Sequence, residues 1–555
     1  MKPPRYIFIV LLLFCLAAYI NVLKGEFIWD DRPLIVDNPS MGRISSCGKI
    51  FVSDLYEKTR ANYYRPIFEL SLILNYSLSK SDTLYYHLTN IFLHYLAVLL
   101  LFLFLFNLTK NVSVSFISSL LFAIHPVNSQ VVAYISGRAD SICAVFILLA
   151  LYLITGYPSS KKIYLISIFS FCLALMTKEI AIVLPVIVFI LNRRRSLPFF
   201  VIAFFYAFAR FTVLNFAAGN PFIEKKGFAL IDCGLFARAW LFLKSLIIYL
   251  GTFVVPVRLH LERLLVDEPV HFYYYFGVVL VILFSWRTFF VLKGRKPIFF
   301  FFLFWFFIWL LPQSAFVFPR IMAEHFLYLP SMAVCFFAAV SIDSGKNKLF
   351  KKMILVSVSL YLLVLGWQNN KYWQTELNFF ERIVDLAPHS IRARDSLASI
   401  YLNASRLDEA EFQYRKLIEY SGELPDQRQR DKAKASCFYN LGMIYEKRAV
   451  LQKARAFYEL ALIYDPKMKE SFNNLGLLYQ KAGDPVSAET CFKKAIEADP
   501  QYYQAYNNLA QLYAQKDKVW QAVSLWMQAL SIKPDYETAR KNLDIARKLL
   551  IFERK

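Results

Sequence analysis

The stretch YIFIVLLLFCLAAYINVLKGEFIWDDRPLIVDNP, residues 6–39, joins a long run of hydrocarbon side chains to an acidic pair. Residues 6–23 carry no charge, and about 20 such residues span a bilayer as a helix. No small-residue cleavage site follows, so we expect an uncleaved first membrane helix rather than a signal peptide. Asp30 and Asp31 lie where that helix leaves the membrane. They are either solvated loop charges or a catalytic base held at the membrane surface.

The composition of the whole chain extends the apolar pattern. Of the 555 residues, 57% are hydrophobic, against about 45–50% in soluble domains. The net charge of +22 is typical of basic cytoplasmic loops in a membrane protein, and we predict no nucleic-acid partner. The eight cysteines form no CxxC and no Cys/His cluster, so we predict neither a metal site nor a disulfide framework.

Two regions with different patterns follow each other along the chain. Residues 1–368 are dominated by apolar runs, whereas residues 369–555 are charged and helical in period. We therefore predict an all-α fold, with a polytopic membrane domain of about eleven spans followed by a soluble helical domain. The predicted spans are residues 6–23, 86–107, 112–125, 138–156, 162–177, 179–192, 197–216, 271–292, 297–312, 326–342 and 353–367.

The orientation follows from the excess of Lys and Arg in cytoplasmic loops. An N-terminus in the cytoplasm places every basic cluster inside: Lys110, Lys161 and Lys162, Arg193–Arg195, Lys293 with Arg295 and Lys296, and Lys346 through Lys352. Residues 236–256 are apolar enough to span, but a span there would move the later clusters outside. We therefore interpret residues 217–270 as an external loop with apolar helices on the membrane surface. The C-terminal domain is then external as well.

The soluble region repeats with a period of 34 residues, visible at Leu441-Gly442, Leu475-Gly476 and Leu509-Ala510. Small residues, aromatic residues and prolines follow the same period, which is the tetratricopeptide pattern of paired helices. We predict about four repeats and a capping helix, with a loop around SGELPDQRQR and an entry half-unit from Trp373 to Pro388. Such arrays form a groove that binds peptides or proteins. A spacer or an oligomerisation arm is the alternative.

Acidic and basic residues gather at the predicted outer face, and each has a structural alternative as a loop charge, an ion pair or a helix end. Ionisable groups beside hydrocarbon are costly, so they are candidates for function. The candidates for substrate or lipid-phosphate binding are Arg65, His125, Arg138, Asp140, Lys178, Glu179, Arg320, Glu324 and His325. A carboxylate near several cations suits displacement at a carbon that bears a lipid phosphate. The cations supply the positive charge, so no metal or other cofactor is expected.

Six stretches resemble a known family, and they occur in its order: FIWDDRPLIVDNP, YYRPIFELSLILNY, HLTNIFLHYLAVLLLF, HPVNSQVVAYISGRADSICA, TKE and MAEHFLYLPSM. The chain resembles the transmembrane and tetratricopeptide-repeat O-mannosyltransferases and their bacterial relatives, within the GT-C class of glycosyltransferases. The resemblance covers nearly the whole chain. Arg138 and Asp140 fall in the GRAD motif, and His325 stands where relatives often have Arg.

The resemblance implies an inverting transfer of a sugar from a polyprenyl- or dolichyl-phosphate donor, with a base in the acidic pair of the first external loop. Asp31, with Asp30, takes that position. The expected partners are membrane lipid, the lipid-phosphate sugar, and a protein or peptide acceptor in the repeat groove. The expected location is a bacterial inner membrane with the repeats outside, with the endoplasmic reticulum membrane and lumenal repeats as the alternative.

Three other functions remain open on the sequence. A non-catalytic membrane scaffold would use the repeats for assembly, but it needs neither the acidic pair nor the cations. A transporter would place charges at mid-bilayer in interrupted helices, whereas the charges here gather at one face. Within the enzyme class, the acceptor could be a lipid or a glycan instead of a protein.

Overall fold

A computed structural model describes residues 3–38, 41, 48, 50–51, 64–212, 235–261, 263–264, 269–313, 321–424 and 426–552. The chain divides into two compact units, Met1–Pro388 and His389–Lys555. The predicted all-α class is confirmed, since the described residues are helical apart from loops and one short sheet. In that sheet β1 (Arg263–Leu264) pairs antiparallel with β2 (Ile321–Met322), with Arg263 opposite Met322.

The first unit consists mainly of apolar helices. Its described α-helices are α1 Tyr6–Tyr19, α2 Pro66–Ser79, α3 Thr83–Thr109, α4 Val112–Ile124, α5 Ser129–Ala133, α6 Arg138–Gly156, α7 Lys161–Leu175, α8 Leu184–Leu191, α9 Leu197–Thr212, α10 Leu235–Val254, α11 Phe272–Val291, α12 Lys296–Leu310, α13 Ser331–Asp343, α14 Lys348–Asn370 and α15 Glu376–Leu386.

Polar side chains cap the first turns of two of these apolar helices. The Asp82 side chain accepts a hydrogen bond from the Leu84 backbone N–H and starts α3. The Asn111 side chain does the same for Val114 at the start of α4. Such caps satisfy backbone donors that have no partner inside the helix, which matters most where water is scarce. The starts of α3 and α4 are thus marked locally by single polar residues between hydrocarbon runs.

Five described helices are long and apolar enough to cross a membrane, or six if one bent pair counts as a single span. The five are Tyr6–Lys24, Thr83–Thr109, Ile135–Gly156, Phe272–Val291 and Lys348–Trp373, and the bent pair joins Val112–Ile124 to Pro126–Ala133 at 53°. The predicted count of about eleven is therefore not confirmed. Five further apolar helices of the described chain are shorter than a full span. The protein is a multi-pass membrane protein.

Helix α10 lies in the segment for which we predicted helices on the membrane surface. It packs closely on α11, because a Cβ added at Gly251 would lie 2.4 Å from the Cα of Tyr274. A Cβ at Gly277 would lie 2.7 Å from the Cα of Gly251. The two backbones touch at these glycines, and no larger residue fits at either position. The structure thus shows a tight helix pair here.

The second unit consists of consecutive helices that pack in pairs and are connected by short turns. They are α16 Ile391–Asn403, α17 Leu407–Ser421, α18 Gln427–Lys447, α19 Leu451–Tyr464, α20 Lys469–Lys481, α21 Pro485–Ala498, α22 Tyr503–Gln515, α23 Val519–Ile532 and α24 Glu537–Phe552.

Small residues let the two helices of a repeat approach. A Cβ added at Gly442 would lie 2.5 Å from the Tyr458 ring, and one at Gly476 would lie 2.6 Å from the Phe492 ring. The expected loop around SGELPDQRQR is shorter than predicted, because α18 already begins at Gln427 behind the Asp426 cap. The boundary also differs, since residues 369–388 belong to the first unit.

Candidate active site

Asp31 lies in the loop that follows the first membrane helix, and its side chain is completely buried. Its carboxylate accepts hydrogen bonds from the backbone N–H of Ile28 at 3.1 Å and from the backbone N–H of Ser136 at 2.9 Å. The Ser136 hydroxyl donates a third hydrogen bond to the same carboxylate. Two segments far apart in sequence, residues 28–31 and the start of the ISGRAD stretch, therefore fix this one side chain.

Burial changes the acid strength of Asp31. The pKa of its carboxyl group is raised to about 7, chiefly because burial removes the group from water and to a smaller extent because of the neighbouring charge of Asp30. The hydrogen bonds from Ser136 and Ile28 act in the opposite direction. A carboxyl group with a pKa near neutral can take up a proton and release it under physiological conditions, as a general base must. Asp30 is partly exposed beside it.

The segment that holds Asp31 continues into Arg138 and Asp140. Arg138 is completely buried, and its guanidinium donates to the Tyr86 carbonyl at 3.1 Å, to the Ser71 carbonyl at 3.4 Å and to the Asn75 side chain. It therefore ties the start of α6 to α2 and α3. Two residues later, Asp140 pairs with the Lys178 ammonium at 2.6 Å, and both side chains are largely buried.

A cluster of cations lies around Lys178 and Glu179. Glu179 pairs with Arg65 at 3.1 Å and with Arg210 at 3.2 Å. One carboxylate is thus shared by two guanidinium groups. Together with the Lys178–Asp140 pair, three cations face two carboxylates in this part of the described chain. The excess positive charge suits an anionic ligand such as a phosphate.

The MAEH stretch places Glu324 and His325 on two sides of one short turn. Glu324 forms an ion pair with Arg263 at 3.2 Å and accepts a hydrogen bond from the His260 backbone N–H at 3.0 Å, so it anchors the loop that carries β1. The His325 backbone N–H donates to the Gln130 side chain at 3.0 Å. Burial, followed by the charges of Lys178 and Arg65, holds the pKa of His325 well below its usual range. His325 is therefore neutral beside the cation cluster.

Two of the predicted site residues, His125 and Arg320, are not among the contacts described above. His125 lies at the break between α4 and α5, where its Nδ1 accepts from the Val127 backbone N–H at 3.2 Å. Its Nε2 lies 2.8 Å from the Phe253 carbonyl oxygen, so both ring nitrogens contact protein atoms. Arg320 lies outside the described residues. Within the described part of the chain, no group of three His, Cys, Asp or Glu side chains is arranged to hold a metal ion.

Three residues that contribute to this geometry were missed from the sequence: Ser136, Arg210 and Arg263. Ser136 is part of the quoted ISGRAD stretch, but a serine carries no charge that draws attention. Arg210 stands alone in the apolar run of α9, and a single charge inside such a run is itself a signal of a functional site. Arg263 lies in a loop where many charges are solvated, so its burial was not foreseeable from the sequence.

Comparison with known proteins identifies the repeats and the relatives of the chain. Tetratricopeptide-repeat families match residues 435–468, 470–502 and 491–524. The crystal structure of MamA covers 29% of this chain and 87% of its own, at 19% identity and a TM-score of 0.24. A protein O-mannosyl-transferase of Caenorhabditis elegans is 26% identical over 448 residues, which is 73% of this chain and 61% of that protein.

Two human proteins match shorter parts of the chain at higher identity. Protein O-mannosyl-transferase TMTC1 is 39% identical over 145 residues, covering 24% of this chain and 16% of that protein. Protein O-mannosyl-transferase TMTC3 is 33% identical over 150 residues, covering 26% and 16% respectively. The chain thus spans less than two thirds of the length of these relatives. It is a multi-pass membrane protein with tetratricopeptide repeats that is similar to proteins named protein O-mannosyl-transferases.

Proposed function

We propose that the protein is a membrane glycosyltransferase that moves mannose from a polyprenyl- or dolichyl-phosphate donor to a Ser or Thr hydroxyl of a protein acceptor. The observation that carries this proposal is the buried Asp31 carboxylate, whose pKa is about 7. We call Asp31 and the Ile28 and Ser136 groups that bind it the Asp31 clasp. From Ser136 the chain continues to Asp140, which pairs with Lys178 of the cation cluster. The similarity to proteins named protein O-mannosyl-transferases supports the substrate class.

Asp31 acts as the base in this proposal. Its carboxylate takes the proton of the acceptor hydroxyl while that oxygen attacks C1 of the mannose. The bond between C1 and the phosphate oxygen breaks, and its electron pair leaves with the lipid phosphate. A single displacement of this kind inverts the configuration at C1. A positioned base contributes about 10²–10⁴ in rate. Asp30, partly exposed next to it, orients the acceptor.

The cation cluster binds the leaving lipid phosphate. Arg65 and Arg210 both pair with Glu179, so two positive charges face one carboxylate, and the remaining positive charge attracts the phosphate oxygens. Lys178 adds a third positive charge, and the neutral His325 lies close by without competing for the phosphate. Since phosphate leaves as a stable anion, the reaction requires neither a general acid nor a metal ion.

The other predicted residues form the framework of the site. Arg138 fixes the start of α6, and through it the position of Ser136. Asp140 and Glu179 hold the cations in place, while Glu324 and His125 anchor neighbouring loops. We assign Arg320 to the same outer face on sequence grounds alone.

The repeats present the protein acceptor, and both the site and the repeats face the outer side of the membrane in this proposal. Tetratricopeptide arrays are typical of protein–protein binding, which fits a polypeptide acceptor better than a lipid. A bacterial inner membrane is the location that we favour, and the endoplasmic reticulum membrane is the alternative.

The second candidate function is a non-catalytic membrane scaffold, and the repeats are the observation that favours it. A scaffold gives no reason for a carboxylate that is buried with a pKa near 7, because burying a charge without a function costs stability. The two functions differ in one measurable respect, which is turnover of the donor.

The test is a transfer assay with the purified, detergent-solubilised protein. Polyprenyl-phosphate mannose with labelled sugar and a pool of Ser/Thr peptides are supplied to wild type, Asp31→Asn and Asp37→Asn. Asp37 is an exposed carboxylate of the same loop and serves as the matched control. We expect label on peptide with wild type and with Asp37→Asn, and a loss of about 10²–10⁴ with Asp31→Asn.

The other outcomes are equally informative. Hydrolysis of the donor without peptide labelling would keep the enzyme and reject the peptide acceptor. Equal transfer by wild type and Asp31→Asn would reject Asp31 as the base. No donor binding or turnover by any variant would favour the scaffold.

A further inference from the structure

The segment that follows the last long apolar helix contacts the Asp31 loop. We call residues 367–382 the brace: it comprises the end of α14, the turn Lys371–Trp373 and the first turns of α15. From the sequence we predicted residues 369–382 of this segment as part of the soluble domain. The first compact unit includes it instead.

Polar side chains of the brace bind the end of α1. The Trp367 indole N–H donates to the Ala17 carbonyl at 2.6 Å, and the Asn370 amide donates to the Ala18 carbonyl at 2.9 Å. The Gln374 amide donates to the Asn21 carbonyl at 2.6 Å. The last carbonyls of a helix have no partner within it, so the brace supplies the missing donors. The exit of the chain from the first membrane helix is thereby fixed.

The brace also reaches the loop itself. The Glu26 backbone N–H donates to the Gln374 carbonyl at 2.8 Å. The ring of Trp29, three residues after Glu26, lies 5.7 Å from the Phe379 ring of the brace. Trp29 has φ of 47°, a left-handed conformation that a bulky residue adopts only where its surroundings hold it. Asp30 and Asp31 follow directly on this strained residue.

The segment that leads to Ser136 also contacts aromatic side chains of the brace. The Trp373 ring lies 5.5 Å from the Tyr134 ring and 5.2 Å from the Phe379 ring. Tyr134 also stacks on Trp29 at 6.3 Å. Ser136, which binds the Asp31 carboxylate, lies two residues after Tyr134. Trp373 and Phe379 therefore pack against both segments that hold Asp31, and both are almost fully buried.

We propose that the brace is a positioning element of the transfer reaction, in which Trp373 and Phe379 press the Trp29 and Tyr134 segments together and so hold Asp31 in its reactive position. This inference rests on the proposed role of Asp31 as the base. Trp373 and Phe379 are positioning residues, since they act through Trp29 and Tyr134 and do not contact the reacting atoms.

The test compares truncations within the brace. Trp373→Ala and Phe379→Ala remove ring contacts to the clasp, whereas Phe380→Ala removes an equally buried ring of α15 whose aromatic contact is with Phe379. In the transfer assay we expect kcat to fall by about 10²-fold in the first two variants, with the KM for the donor within about twofold of wild type. Phe380→Ala is expected to keep kcat within about threefold, and Trp373→Phe to recover most of the rate.

Hydrogen exchange gives a readout that does not depend on activity. We expect faster exchange in peptides covering residues 25–38 and 129–140 of Trp373→Ala, and unchanged exchange there in Phe380→Ala. Equal kcat in Trp373→Ala and Phe380→Ala, while Asp31→Asn is inactive, would overturn the brace and leave the proposed function standing. If wild type transfers no mannose, the proposed function fails, and unchanged exchange in Trp373→Ala would reject the brace as a structural support too.

Discussion

Ion pairs in the two units are of the same residue types but lie in opposite environments. In the membrane unit, the side chains of Arg263 and Glu324 are 2% and 6% exposed. In the repeats, those of Arg455 and Glu459 are both 48% exposed. Buried charges are retained only where each has a partner, because an uncompensated charge is costly, whereas exposed pairs contribute little. Charges in the membrane unit thus hold loops around a site, and those of the repeats mainly cover a surface.

Removing one partner of a buried pair should produce the largest stability effect. Glu324→Gln leaves the Arg263 guanidinium buried without its carboxylate, so we expect the free energy of unfolding to fall by about 3–5 kcal/mol. Glu459→Gln, which removes the exposed pair with Arg455 in the repeats, is the matched control, with an expected loss below about 1 kcal/mol. Thermal unfolding of the detergent-solubilised full chain measures both. Equal losses would show that burial does not separate the two classes of ion pair.

The next largest effect is expected on the transfer rate when one of the positive charges around Glu179 is removed. Arg210→Ala removes one of the two guanidinium groups that share this carboxylate, and we expect kcat/KM for transfer to fall by about 10²-fold. Arg194 is an exposed arginine of the α8–α9 turn, and Arg194→Ala is expected to leave transfer unchanged. Steady-state rates over a range of donor concentrations provide the comparison. An unchanged kcat/KM in Arg210→Ala would remove this residue from the phosphate site.

A smaller effect is expected in the repeats, where packing rather than charge is decisive. Gly476→Ala places a Cβ 2.6 Å from the Phe492 ring, and we expect a loss of about 1–3 kcal/mol from overpacking. Gly294→Ala is the control, because an added Cβ there meets open space. Hydrogen exchange of α20 and α21 in the full chain reports the local loss. Unchanged exchange would mean that the helix pair adjusts at no cost.

The repeats were the more predictable region because one local rule recurs in them. A period of 34 residues, a small residue in the first helix and an aromatic residue in the second are enough to predict the pairing of Gly476 with Phe492. Besides the domain boundary, the prediction was wrong at the insertion after Ser421, where Asp426 starts α18 early. Capping by a single aspartate is a local effect that the repeat pattern does not include.

The membrane unit was less predictable because the number of apolar runs in the sequence does not determine the number of membrane-spanning helices. Hydropathy could not foresee that the run from Val112 bends by 53° at His125, where a side chain replaces the missing backbone acceptor. The clasp around Asp31 depends on Ser136, a neutral residue more than 100 positions away in sequence. Residues 369–382 of the brace were predicted in the soluble domain because the last apolar run ends near Trp367, whereas the Trp373 and Phe379 rings contact Tyr134 and Trp29.

The measurement that most directly tests Asp31 as the base is the pH dependence of mannose transfer under single-turnover conditions. Burial raises the pKa of Asp31 to about 7, so the carboxyl group is protonated and inactive as a base below that pH. We predict a rate that rises about tenfold per pH unit up to pH about 7 and is constant above it. A rate that is flat from about pH 5 to 9, with donor binding unchanged, would contradict the role of Asp31.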